Sequence, residues 1–305
     1  MNRTNIIEGG ARMMSKERLG EICVLLSAVL FGTMPLLAKV AYTGGANAFE
    51  VAFARAFFGA IFSLIVHLVV PGMSVKVSYH QLWQLLRLGL IFASAPLLLY
   101  NSYVYLSSGL ATTLHFTYPV IVMVLLAVFF RKKINKKHIV CAVLCTAGII
   151  LLYQPTDGEE AIGMLLAFVS GVAYAFYIIY LRRSDLEGMH PLTSTFWVSL
   201  FASAGLFVCS LVMGKMNFTI TPMALAGEIA LGLFCTLIAV ALFQKGVQVC
   251  GEVKASLLST FEPITSLIVG ILWFQEVMTL RSSAAVVLIL ISTVLLVLWD
   301  KKEQA

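Results

Sequence analysis

The residues best placed to do chemistry are Phe261-Glu262-Pro263-Ile264, an acid and a proline set about nine residues into an apolar run that starts near Val253. A carboxylate at membrane depth is rare and costly, so it needs a use. Three uses fit. Glu262 can take up and release a proton, or, ionised, pair with an amine on a bound solute. Alternatively it is protonated or hydrogen-bonded to backbone groups left unpaired by Pro263, which cannot donate to the preceding turn.

Residues three and four apart share a helix face, which groups Ser259, Ser266 and Ala255 with Glu262. A shift of about 144 residues lays Tyr118-Pro119 on Glu262-Pro263 and brings His115, Tyr118 and Ala111 onto the corresponding upstream face. Tyr100, Asn101 and Tyr103 add polar atoms nearby, and Gln244 could face the same space. The candidate lining is therefore Glu262, Ser259, His115, Tyr118, Tyr100, Asn101, Tyr103, Gln244 and the aromatic Tyr174, with Pro35, Pro119 and Pro263 as candidate helix-shaping residues.

Each has a plainer reading. A single His among helices serves as well in packing as on a solute path. Phe31, Tyr174, Tyr177 and Trp197 could wall a solute, pack, or face lipid. Gly32, Pro35, Ala173 and Ala175 let helix backbones approach or bend. Arg55 lies about seven residues inside an apolar run, where a guanidinium could hold an anionic group. The favoured reading for it is structural, snorkelling or pairing with Glu50. Lys39 and Arg182 read as interface anchors.

The elements that carry these residues follow from composition. With 305 residues, 60% hydrophobic and 12% charged, the chain cannot hide its apolar side chains in a soluble globule and reads as an integral membrane protein. Runs long enough to cross about 30 Å of hydrocarbon recur at 20–42, 48–70, 86–106, 110–130, 138–154, 160–181, 190–213, 225–248, 253–273 and 278–299. Ten spans leave no soluble domain large enough for a nucleotide or an active site of its own.

Lys and Arg alternate between the two sides of this arrangement, 17 against 3 with Arg55 left inside a span. The rich side holds the N-terminal cations, Lys76 and Arg87, the run Arg131-Lys132-Lys133-Ile134-Asn135-Lys136-Lys137, Arg182 and Arg183, Lys245 and Lys254, and Lys301 and Lys302. The bias puts both termini in the cytoplasm. The basic run is most simply a topology determinant that also touches anionic lipid. The first apolar run is too long for a signal-peptide core and is expected to be retained. Six cysteines without C-x-x-C spacing read as small buried apolar residues, and no metal site is expected.

The 144-residue shift also lays Ala147-Gly148-Ile149-Ile150-Leu151-Leu152 on Ile291-Ser292-Thr293-Val294-Leu295-Leu296. A shift of 143 brings Gly20 to Gly163, Ser27 to Ser170, Phe31 to Tyr174 and Lys39 to Arg182. Five spans per half, an odd number, make the second half enter the membrane from the opposite side. That is an inverted repeat, in which the solute site lies near the midplane between the halves. The expected organisation is a cytoplasmic segment 1–19, a first repeat 20–154, a second repeat 160–299 and a cytoplasmic tail 300–305.

The stretch from Phe243-Gln244-Lys245-Gly246-Val247 through Ala255-Ser256-Leu257-Leu258 and Phe261-Glu262-Pro263-Ile264 to Trp273-Phe274-Gln275-Glu276 resembles the EamA-type branch of the drug/metabolite transporter superfamily. The resemblance, over almost the whole chain, implies an all-α membrane protein of ten helices in two five-helix inverted repeats around a central cavity. It implies a secondary active or facilitative transporter, often an exporter, of a small polar or amphipathic metabolite such as an amino acid, in a bacterial cytoplasmic membrane. Two positions depart from the pattern. Tyr118 stands where the second half has Glu262, and Lys132 where Glu276 would predict an acid, which makes Glu276 a helix-end device.

The expected partners are a small-molecule substrate and the lipid bilayer, with no nucleic acid, and the chain acts as a monomer or homodimer. No cofactor is expected, and coupling to a proton or another ion stays open. No G-x-x-x-x-G-K-[ST] phosphate loop is present, so ATP hydrolysis is not expected. The alternative is an intramembrane enzyme acting on lipids, which needs a nucleophile with a base or a metal cluster.

Overall fold

A computed structural model describes residues 3–106, 108–152, 160–186, 188–216 and 221–274, and beyond these 280–281, 283–285, 287–288, 290–292 and 295. Among the described residues all regular structure is helical. Glu276, Asp157 and the tail 300–305 lie outside them.

In chain order the helices are α1 (Arg3–Gly32), α2 (Met34–Thr43), α3 (Ala48–Val69), α4 (Tyr79–Ser102), α5 (Ser108–His115), α6 (Tyr118–Phe130), α7 (Lys136–Leu152), α8 (Glu160–Arg183) and α9 (Pro191–Val212). They continue with α10 (Pro222–Ala230), a π-helical segment Leu231–Ile238, α11 (Ala239–Cys250), α12 (Glu252–Leu258), a 3-10 turn Ser259–Phe261 and α13 (Glu262–Phe274). Six stretches are long and apolar enough to cross a membrane: Glu17–Thr43, Ala48–Val69, Tyr79–Ser102, Ala161–Arg183, Pro191–Val212 and Pro222–Cys250. The other four runs are helical where described but shorter or divided.

Helix starts are set by capping side chains. Asn47 accepts from the Glu50 N–H at 3.1 Å while the Glu50 carboxylate accepts from the Asn47 N–H at 2.8 Å, a reciprocal box that begins α3. Ser78 and Gln81 do the same for α4, at 3.2 and 3.0 Å. That box explains why α4 starts at Tyr79, seven residues before the apolar run expected at 86–106.

The halves pack in mirrored pairs. With α1 equivalent to α8 and α4 to α11, the pairing of α4 with α8 has its counterpart in α1 with α11, and α3 packs on its own equivalent, α9. Close approach at these seams needs small residues. A side chain at Gly32 would strike Thr265, and one at Gly171 would meet the His115 carbonyl.

One end of the bundle is drawn together by ion pairs. The Glu252 carboxylate, 3% exposed, meets Lys132 Nζ and Arg183 Nη2 at 3.1 Å each and Arg182 Nε at 3.9 Å. Lys254 Nζ, 5% exposed, meets Glu17 at 2.8 Å and Glu21 at 2.6 Å. The 70–78 loop lies at this end too, where its Val75 carbonyl accepts from Trp197 Nε1 at 2.9 Å and its Ser74 carbonyl from Thr193 at 3.2 Å. At the other end Thr221 Oγ1 donates to the Gly44 carbonyl at 2.6 Å and Asn47 Nδ2 to the Lys215 carbonyl at 2.8 Å. The cations of the Lys- and Arg-rich loops that the structure describes in contacts, Lys132, Arg182, Arg183 and Lys254, thus gather at a single end.

Candidate functional site

Three helices stop and restart in the interior, each with the same local chemistry. After α1, Thr33 Oγ1 donates to the Leu30 carbonyl at 2.7 Å and Pro35 lies in the first turn of α2. After α5, Thr117 Oγ1 donates to the Leu114 carbonyl at 2.8 Å and Pro119 lies in the first turn of α6. Between α12 and α13, Ser259 and Thr260 donate to the Ser256 and Leu257 carbonyls at 2.8 and 2.5 Å, and Pro263 is the second residue of α13. Proline withholds an N–H from the helix ladder, and at each break a hydroxyl folded back three residues adds a donor to a carbonyl of the turn before it. Residues 116 and 117, moved by 144, fall on 260 and 261, so the last two breaks are repeat-equivalent.

These two breaks meet. Tyr118, the first residue of α6, hydrogen-bonds through its hydroxyl to Ser259 Oγ. His115, the last residue of α5, places Nδ1 2.8 Å from Ser170 Oγ on α8. Ser170 spends its one proton on the Ala167 carbonyl at 2.6 Å, so His115 Nδ1 is the donor in their bond. The rings of His115, Tyr118 and Tyr174 form a mutual cluster with centroids 4.8 to 5.5 Å apart, Tyr118 and Tyr174 edge to face at 84°. Tyr174 continues the aromatic wall to Tyr177 at 5.6 Å and Phe243 at 5.8 Å.

Glu262 begins α13 beside this wall. Among the described residues no hydrogen bond, and no ion pair within 4.0 Å, reaches its carboxylate, although it lies in electrostatic range of Arg55, Tyr118, Tyr174, Tyr100 and Tyr103. Glu262 and Tyr174 are half-buried, whereas Tyr118 and His115 beside them are buried.

Arg55 does not snorkel, one of the two forms the structural reading gave it. It is 4% exposed and points inward from α3 instead of snorkelling. Its Nε donates to Thr236 Oγ1 at 3.0 Å, and Nη1 reaches Met34 Sδ at 3.1 Å and the Tyr100 hydroxyl at 3.4 Å. The rings of Phe31 and Phe92 flank the guanidinium at 5.8 and 5.6 Å. Thr236 stands in the π-helical segment, a distortion that sequence pattern does not signal and that recurs at functional sites. Met34, Thr236, Phe92 and Ser170 are site residues that sequence reasoning missed. Only Ser170 had left a signal, as the repeat equivalent of Ser27.

The remaining candidates are each engaged by protein groups. Tyr103 bonds Thr112 Oγ1 at 3.2 Å and stacks at 6.0 Å from Tyr100. Gln244 is fully buried, donating to the Tyr177 hydroxyl at 3.0 Å and accepting from Thr195 at 3.3 Å, and so braces the wall from behind. Asn101 turns its amide to the Leu97 carbonyl of its own helix at 2.8 Å. Among the described residues no group of three or more His, Cys, Asp or Glu is placed to hold a metal ion. A groove of about 530 Å³ between α6 and α7 is lined by apolar side chains such as Val120 and Ile150, and none of the candidate residues borders it.

The model of the EamA-like transporter family matches twice, at residues 18–154 and 161–298. A protein of Archaeoglobus fulgidus named as an uncharacterized transporter is 26% identical over 277 residues, covering 86% of this chain and 90% of that one. Another of that name from Clostridium kluyveri is 21% identical over 290 residues, covering 90% and 92%. A crystal structure superposes with a TM-score of 0.76 at 16% identity over 94% of this chain and 99% of that one, a likeness of fold.

Proposed function

Because the chain belongs to the EamA-like transporter family through both of its halves, we propose that it carries a small polar or amphipathic metabolite across the membrane by alternating access, with net flux outward. It is a multi-pass membrane protein whose relatives are named as transporters. In this reading the divided helices α5–α6 and α12–α13, together with α7 and the helical residues between 280 and 295, complete ten spans in two inverted repeats. Both termini then lie in the cytoplasm, on the side of the ion-paired end, as the Lys and Arg bias requires.

One observation carries the proposal. Repeat-equivalent breaks in two helices meet through Tyr118 and Ser259, and beside them an acid stands with no hydrogen-bond or ion-pair partner among the described residues. Broken helices at the interface of two repeats are where transporters of this architecture hold their solutes. A lipid-directed enzyme finds no support in the His115–Ser170 pair, because the hydroxyl proton goes to Ala167 and leaves the imidazole no proton to abstract.

Purified protein in liposomes is expected to exchange labelled solutes from a metabolite extract, and Glu262→Gln to reduce that exchange at unchanged folding. No exchange of any solute by the wild type sinks the transport reading. Exchange in Glu262→Gln that keeps the pH profile of the wild type sinks a proton-carrying Glu262. Topology has its own check: a Cys introduced at Asp157 should react with an impermeant reagent from outside the cell, and reaction from the cytoplasm alone reverses the orientation.

A further inference from the structure

Four cations at the ion-paired end have acids beside them: Lys132, Arg182 and Arg183 share Glu252, and Lys254 takes Glu17 and Glu21. Lys245, on α11 nine residues before Lys254, has no ion-pair partner among the described residues. It stands instead in a groove of about 450 Å³ between α9 and α11. Lys245 and His190 occupy the end of the groove nearer the ion pairs, and beyond them the walls are apolar, with Leu192 on α9 facing Ile238, Ala241 and Leu242. Ile238 is exposed within a membrane-spanning stretch, so the groove opens to lipid. From Ile238 to Lys245 is seven residues, about 10 Å of helix, which fits inside one leaflet of a hydrocarbon core about 30 Å thick. His190 supplies a donor beside the lysine. Its Nδ1 accepts from the Leu192 N–H at 3.3 Å and caps α9, so the ring is neutral and carries its proton on Nε2. Burial first, then His67 and Lys245, hold this imidazole below its usual range, and no acid lines the groove to offset the positive field.

We propose that this groove binds an anionic phospholipid, its phosphate held by Lys245 Nζ and the His190 Nε2–H and one acyl chain lying along Leu192, Ile238, Ala241 and Leu242. Charge and shape together select this occupant. A free anion gains nothing from the apolar walls, and a zwitterionic lipid brings a second cation to a site that already holds Lys245. A second copy of the chain, docked at this groove across a two-fold axis, sets one Lys245 near the other. The lipid also touches what supports the interior. Ile238 ends the π-helical segment in which Thr236 accepts from Arg55, and on the buried side of the groove Thr195 of α9 donates to Gln244 of α11 at 3.3 Å. A seated chain therefore braces both the segment and the seam.

The test is lipid binding to the purified full chain in neutral detergent micelles, read by native mass spectrometry and by the rise in unfolding temperature. The probes are phosphatidylglycerol and phosphatidylcholine with identical acyl chains, and glycerol phosphate, which has the anionic head and no chain. Phosphatidylglycerol is expected to bind about fivefold more tightly than phosphatidylcholine, the scale of one lysine at an anionic lipid surface, and glycerol phosphate not at all. Lys245→Gln should bring the ratio of the two lipids to about one. Ala241→Phe, which fills the groove and leaves the cation in place, should weaken both lipids and covers the case in which Lys245→Gln does not fold. Equal binding of the two lipids by the wild type overturns the proposal. A preference that survives Lys245→Gln does so too, and assigns the lipid to another surface such as the basic run at 131–137. Glycerol phosphate binding as tightly as phosphatidylglycerol makes this a free-anion site, and a dimer that Ala241→Phe splits into monomers makes a second copy the occupant; either result overturns the lipid assignment.

Discussion

At the break after α5 the residue that starts the new helix is Tyr118; at the equivalent break after α12 it is Glu262. The backbone solution is shared, a hydroxyl folded onto the carbonyl three residues back followed by a proline. The chemistry is not shared. The bond from Tyr118 to Ser259 has a mirror image under the 144-residue shift, which sends 118 to 262 and 259 to 115: a contact between Glu262 and His115. That contact is not made, for His115 donates to Ser170 and Glu262 has no protein partner among the described residues. Repetition thus built the hinge twice, while the two halves diverged in what the hinge presents.

The comparison can be pressed experimentally. The largest effect is expected from erasing the difference between the halves: Glu262→Tyr should lower transport about a hundredfold, the scale on which a buried charge outranks a neutral group, whereas Tyr118→Phe should cost less than about tenfold. Equal losses in the two variants, measured as initial rates in liposomes, would break the distinction. Next comes the seam at α1. Gly32→Ala pushes a methyl into Thr265 and should destabilise the fold by about 1–3 kcal/mol. Its repeat equivalent Ala175 already carries a side chain in the unbroken α8, and Ala175→Gly should cost no more than about 1 kcal/mol by helix propensity. Unfolding in mixed micelles measures both, and a silent Gly32→Ala argues that α1 and α13 are not in contact. The smallest effect concerns the mirrored bonds. A double-mutant cycle on Tyr118→Phe and Ser259→Ala should show a coupling of about 1 kcal/mol in stability, and His115→Gln with Glu262→Gln none. Coupling of the second pair in stability would mean that the contact exists in the resting protein.

The sequence made legible those features that depend on residue type at a fixed place. Pro35, Pro119 and Pro263 mark where helices restart because a missing N–H acts locally, whatever surrounds it. The 144-residue shift aligned Tyr118 with Glu262 because a repeat preserves order. Orientation within uniformly apolar helices was not legible. Arg55 was read as snorkelling or pairing with Glu50, and because α3 is apolar on nearly every side no periodic pattern tells its inner face from its lipid face. The π-helical segment that brings Thr236 to Arg55 arises from tertiary fit and leaves no composition signal. The pairing of His115 with Ser170 joins residues on different helices, which neither spacing nor propensity reports.

The ion pairs around Glu252 and Lys254 join both halves at one end of the bundle and only there among the described contacts. Their consequence is kinetic. On the proposed alternating-access cycle, opening that end would separate the buried Glu252 and Lys254 from their partners, and a carrier with nothing bound would have no compensating contact to offer. The empty protein should then reset slowly while the loaded one cycles fast, so one-for-one counterflow should outrun net discharge. Removing the acid at the centre, as in Glu252→Gln, should narrow that gap by quickening the unloaded return, which would make a buried charge cluster at the end of the bundle the governor of turnover.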